Sequence, residues 1–201
     1  MKDKFNAHHF EDKEGCYEAI YEFFESFSLP PARKYLLSAL MAAESKNIWK
    51  HGGPVDLLYF FERLESLVKS VIAISKRGYR DDAVIVMSSP WYTPDITQLH
   101  LFCGTYDNYM AWDYVPRALS IKEYHNPYKA LEKFAGYCNK KEWREILQYI
   151  KSYALGSNSL ADLSIDIELL HISQLLQKML EACHLIYVRI KVKHTPTALE
   201  K

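Results

Sequence analysis

The strongest constraint on this chain lies near its carboxyl end, where Ile165, Leu169, Ile172, Leu176, Met179, Cys183, Ile186 and Ile190 recur alternately four and three residues apart. That spacing is a heptad seam, the pattern of a helix that keeps one apolar line toward a neighbour. Leu160, Leu163, Ile167 and Leu170 add a second apolar side to its first half. The pattern predicts a helix from about Ser159 to Val192. Greasy on two sides, it belongs at the centre of a bundle, or between the bundle and a second copy of the chain.

Shorter amphipathic segments supply that bundle. Tyr17, Ile20, Phe24 and Phe27 share one helical face while Glu14, Glu18 and Glu22 share another. Pro30-Pro31 opens a second helix with Leu36, Leu40 and Ala43 inward and Leu37 and Met41 widening that face, closed by Lys50, His51 and Gly52-Gly53. Pro54 starts a third, from Leu57 to Ile74, ended by Lys76-Arg77-Gly78, with Glu65 and Lys69 paired opposite the core. Asn126-Pro127 precedes a helix bearing Leu131, Phe134, Ala135 and Cys138, and Asn139 with Glu142 forms a capping box for another that Gly156 stops.

Between Gly78 and Ser120 the pattern weakens. Val84-Ile85-Val86-Met87 reads either as a short strand or as a short helix begun at Asp81-Asp82, and Thr93-Pro94-Asp95 opens a short capped helix that runs to Gly104. The expected fold is therefore all-α: a bundle of about six or seven helices with a long, central C-terminal helix and an irregular aromatic-rich middle. Residues 1–201 form a single helical domain in this reading, in which a lobe 1–77, a connecting segment 78–120 and a lobe 121–194 can be marked off.

Charge and cysteine usage narrow the function classes. Twenty-five Lys and Arg balance 25 Asp and Glu, so no bulk field draws the chain to nucleic acid or anionic lipid. Cys16, Cys103, Cys138 and Cys183 lie far apart without a C-x-x-C pair, which fits free thiols in a reducing compartment. With no apolar leader and no run of about 18 apolar residues, a soluble, cytoplasmic protein is expected, with no membrane association. Phosphate-cradling loops, a nucleophile elbow and H-E-x-x-H are all missing, so no catalytic residue, metal ligand or cofactor is assigned.

Two stretches stand out as binding surfaces. One is the aromatic middle, where Trp91, Tyr92, Asp95, His100, Tyr106, Tyr109, Trp112 and Arg117 combine rigid aromatic area with polar handles. The other is a polar stripe on the last helix, His171, Gln174, Lys178 and Glu181. The leading expectation is a non-catalytic protein-interaction or ligand-binding module with an unidentified protein partner or small ligand, and self-association as a homodimer is a further one.

A helical enzyme is the alternative. Glu168-x-x-His171 and Glu181-x-x-His184, with Glu62 and Glu65, offer carboxylate and imidazole groups for a metal, although 13 residues of helix hold the two motifs about 20 Å apart. Arg189 and His194, four residues intervening, match the spacing of HEPN-type ribonucleases, also small helical domains. That resemblance covers six residues and implies His194 as acid/base and Arg189 as a phosphate or transition-state contact. Ile190 replaces the polar residue often found beside the arginine in that family.

Overall fold

The computed structural model describes residues 12–45, 48–86, 99, 101–103, 109–156 and 168–194, with backbone alone for 192–194. Eight α-helices and no strand occur among them: α1 Lys13–Ser26, α2 Leu29–Glu44, α3 Pro54–Arg77, α4 Ala111–Tyr114, α5 Ile121–His125, α6 Tyr128–Tyr137, α7 Lys140–Leu155 and α8 Leu169–His194. The expected all-α bundle is there. The excess over six or seven comes from α4 and α5, single turns too short to leave a periodic signal.

Helices α1 and α6 each pack against both long helices, α3 and α8, while α2 packs on α7 and α8 and α7 also on α3. The faces are those the spacing dictates. Ile20, Phe23 and Phe24 of α1 meet Leu57, Phe60, Phe61 and Leu64 of α3 in one continuous core, and Glu14, Glu18 and Glu22 lie exposed on the far side of α1. Phe134 of α6 stacks on Trp143 of α7 with ring centroids 4.1 Å apart, and the indole N–H donates to the Phe134 carbonyl. Burying such a pair contributes several kcal/mol by area alone.

Helix ends follow local chemistry. Pro54 sits in the first turn of α3, Asp56 accepts from Gly53 N at 2.7 Å, and Gly78 closes the helix in the left-handed conformation at φ +66°. The Asn139–Glu142 capping box is present in full, with Asn139 Oδ1 accepting from Lys141 and Glu142 N and Glu142 accepting from Asn139 N. The end of α2 differs from expectation. It stops at Glu44, and the Lys50-to-Gly53 stretch turns the chain into α3 instead. Trp49 explains the early stop: its buried indole donates to Ser38 Oγ and its backbone N to Ala154 O, pinning an extended loop. Leu37 and Met41, expected to widen the inner face of α2, are exposed.

Of residues 84–87, Val84 ends a 3-10 turn, Ile85 is extended, Val86 belongs to neither helix nor strand, and Met87 lies outside the described residues. Asp81 accepts from Ala83 N and starts a 3-10 turn at Asp82–Val84, and Val86 N donates to His125 O. The predicted start of the last helix, residues 159–167, and the capped helix at 93–98 lie outside the described residues, as do Leu160, Leu163, Ile165 and Ile167. Within α8 the heptad seam is buried from Ile172 through Ile186. Of the predicted second apolar side only Leu170 is described, and it is 75% exposed, whereas every residue from Met179 to Arg189 is buried. All-round burial thus belongs to the second half of α8. Glu65 pairs with Lys151 of α7 at 3.3 Å rather than with Lys69. No described helix is long and apolar enough to cross a membrane, and none of the four cysteines is in a disulfide, with burial pushing the thiol of Cys183 up from its ordinary value.

Candidate functional site

The buried half of α8 carries three polar side chains, Glu181, His184 and Arg189, and an ionisable group in such a place needs partners. All three reach toward the segment that precedes α6. Glu181 accepts from Arg117 N at 3.0 Å, Ala118 N at 2.8 Å and Leu119 N at 3.2 Å, and from Arg33 Nη2 of α2 at 2.5 Å. These successive backbone N–H groups make a nest for the carboxylate. Arg33 completes the clamp by donating to Asp113 O and Val115 O. Burial lowers the pKa of Arg33, while the charge of Glu181 and its hydrogen bond push it back up.

One turn further on, His184 stacks on Tyr114, with centroids 5.5 Å apart and planes at 25°, and meets the edge of Phe24. Beyond that, Arg189 donates to Leu101 O, Val84 O and Tyr124 O and lies 4.7 Å over the Tyr124 ring. Glu181 and Arg189 of α8 therefore fasten four separate stretches of chain, at 84, 101, 117–119 and 124, by their backbone groups, which apolar periodicity cannot specify.

Glu123 adds a second anchor. It accepts from Ser120 N and Oγ as a capping box for α5, and from Lys133 of α6 and Lys178 of α8. Burial alone would raise this carboxyl, but the hydrogen bonds from Lys133, Ser120 and Lys178 win and hold it at about 2.

What this scaffold presents outward is α4. Trp112 is 63% exposed and Met110 74%, with Tyr109 also exposed. Arg117, 66% exposed at its side chain, donates to Trp112 O at 3.4 Å and lies 3.8 Å from Asp113. Along α2, Leu37 and Met41 follow Arg33 at four-residue intervals and so continue the flank on which Arg33 grips α4. An indole, a thioether, a phenol and a guanidinium are thus displayed on a base locked by buried ion pairing.

Of the residues singled out by sequence, Tyr109, Trp112 and Arg117 are brought together here, whereas Trp91, Tyr92, Asp95, His100 and Tyr106 lie outside the described residues. His171 and Gln174 are exposed but stand about 15 and 10 Å along the helix axis from Glu181, and His171 packs on Tyr137 of α6 instead. The stripe is graded: His171 and Gln174 meet solvent, Lys178 is half-buried against Glu123, and Glu181 is 2% exposed. At its buried end the stripe meets residues 117–119 through Glu181 and Glu123 through Lys178. Sequence reading passed over Glu123, although Ser120-x-x-Glu123 carries the capping-box signature, and over Arg33, for which no local signal exists.

The groups behind the enzymatic alternative have structural neighbours of their own. Arg189 is spent on three carbonyls, and the side chain of His194 lies outside the described residues. Glu181 and His184 are occupied as above, and Glu168 is exposed. Among the described residues, no three His, Cys, Asp or Glu side chains gather to hold a metal ion. No protein-family model, curated protein or solved structure matches the chain.

Proposed function

We propose that the protein is a non-catalytic interaction module that binds a protein partner through the α4 platform. The observation that carries this reading is Trp112, largely exposed beside Met110, on a turn held by Arg33 at Asp113 O and followed by residues 117–119, whose backbone Glu181 holds. Exposed aromatic and Met side chains cost solubility when they have no use, and Trp, Tyr and Arg dominate the energetics of protein interfaces. A rigid base adds affinity, because the partner then does not have to order the turn. The surface suits an apolar groove that takes the indole, rimmed by a carboxylate that takes Arg117 from its long contact with Asp113.

The test is affinity capture with quantitative mass spectrometry, comparing wild type with Trp112→Ala and Arg117→Glu after circular dichroism has shown all three folded alike. A species held by wild type and lost with both variants is expected; equal retention by Trp112→Ala removes the proposal. A second copy of the chain is the competing occupant. Light scattering decides it: a dimer mass that collapses in Met110→Asp assigns the platform to self-association, and a monomer mass leaves it to another protein.

A further inference from the structure

A second feature lies between α3 and α7, neither of which takes part in the Glu181 clamp. There a cleft of about 610 Å³ is lined by Lys69, Lys76, Lys140, Lys141 and Arg144, with Glu65 the one carboxylate in its wall. Its floor includes Val68 and Leu147, both core residues. Glu65 is already engaged by Lys151 at 3.3 Å, and Lys141 has a long contact with Glu145 at 3.8 Å. Lys69, Lys76, Lys140 and Arg144 have no ion-pair partner among the described residues. Elsewhere on this electrically neutral chain the half-buried cations Arg63 and Lys191 find carboxylates, while exposed ones such as Lys34 and Lys129 have no ion pair among the described residues. What sets the cleft cations apart is that five of them surround one concavity rather than a convex face.

The arrangement follows from two antiparallel helices. Lys69 and Lys76 are two turns apart on one flank of α3, and Lys140 and Arg144 one turn apart on α7, so the four line up across the gap. The amino end of α7 contributes nothing here, because Asn139 Oδ1 already occupies the N–H groups of Lys141 and Glu142.

We propose that this cleft binds a small polyphosphorylated ligand, its phosphates between the Lys69–Lys76 and Lys140–Arg144 walls. A single phosphate would leave most of the cations unmatched; a di- or triphosphate spans them, and a volume of this order suits a nucleotide-sized molecule. The apolar floor at Val68 and Leu147 offers a surface for a flat group attached to the phosphates. Multidentate contacts from lysine and arginine to phosphate are charge-assisted, and arginine can grip two oxygens at once.

Isothermal titration calorimetry on the full chain, without divalent metal, tests this with inorganic tripolyphosphate, ATP and adenosine as probes. Tripolyphosphate and ATP are expected to bind with one-to-one stoichiometry at physiological ionic strength, and adenosine not to bind. ATP tighter than tripolyphosphate assigns a role to the apolar floor, and equal affinities assign the binding to phosphate alone. Lys140→Glu with Arg144→Glu, and separately Lys69→Gln with Lys76→Gln, should each weaken binding about tenfold or more. All four side chains are partly or fully exposed, so folding is spared. The proposal is overturned by heats that vanish at physiological salt, by stoichiometry well above one, or by variants that bind as wild type does.

Discussion

Helices α3 and α8 are similar in length, 24 and 26 residues, yet they are held in opposite ways. α3 has one apolar face and a polar back; of its buried residues only Ser70 is polar, and its hydroxyl returns to Ser66 O in the same helix. From Met179 to Arg189, α8 has no back at all, and its Glu181 and Arg189 reach outward to backbone groups of other segments. An apolar face asks only for another apolar face, and many partners satisfy it. A buried carboxylate or guanidinium asks for particular donors and acceptors, and so specifies where an irregular chain must lie. In this protein α3 contributes cohesion, whereas α8 contributes placement of the segment that displays Trp112.

The sharpest way to break that contrast is Glu181→Ala. It leaves Arg33 and the N–H groups of Arg117, Ala118 and Leu119 buried without their acceptor, at a cost of about 3–5 kcal/mol. Amide hydrogen exchange should accelerate at 117–119 well before the rest of the molecule. In Arg33→Leu with Glu181→Leu, the loss should be smaller than the two single losses added, because the two residues act as one unit. Additive losses, or exchange that changes uniformly, would mean that the clamp does not place the segment.

Leu64→Ala in α3 is the matched test on the other side. A fully buried core leucine is lost there, costing about 2–5 kcal/mol through transfer and cavity terms. Chemical denaturation should show this as a lower midpoint with exchange at 117–119 no faster than elsewhere. Selective loosening of that segment by Leu64→Ala would erase the distinction between cohesion and placement.

The same division explains what the sequence discloses. The bounds of α3, the Asn139 cap and the buried seam from Ile172 to Ile186 are legible because each depends on residues within a turn or two of one another. The clamp is not, because Arg33 and Glu181 are 148 residues apart and nothing near either announces the other. Glu181 looks like a member of a solvated stripe until residues 113–119 cover it. Trp112 and Tyr114 are two residues apart in one aromatic run, yet the first faces water and the second is buried against His184; only the tertiary path of α4 separates them. The basic cleft is similarly hidden, since Lys69 and Arg144 join only when α3 and α7 pack.

Acid titration sharpens the comparison further, because the polar anchors titrate and the apolar faces do not. His125 is held below its ordinary value of 6.5, first by burial and then by the charge of Arg189. Above that value stability is at its full level; below it the unfolded chain takes up a proton that folded His125 resists, and stability declines. Glu123 acts in a lower window. Its folded value of about 2 lies under the ordinary 4.5, so its contribution is complete above about 4.5 and disappears as the pH falls toward 2, a loss of roughly 2 kcal/mol once the water around Lys133 is allowed for. Urea midpoints measured from pH 7 to pH 2 should show both limbs, and Glu123→Gln should flatten only the lower one. A Gln variant with an unchanged acid limb would take Glu123 out of the set of anchors.

The smallest expected change in stability is the one that most concerns function. Trp112 is largely exposed, so Trp112→Ala should move the unfolding free energy by no more than about 0.5 kcal/mol, as for other surface sites. Tyr114→Ala, two residues on, removes a ring stacked on His184 and should cost about 3 kcal/mol or more. If the two cost the same, Trp112 serves the fold and the platform loses its claim as an interface. If Trp112→Ala is silent in folding but not in binding, that large exposed side chain is retained for a partner, because the fold has no need of it.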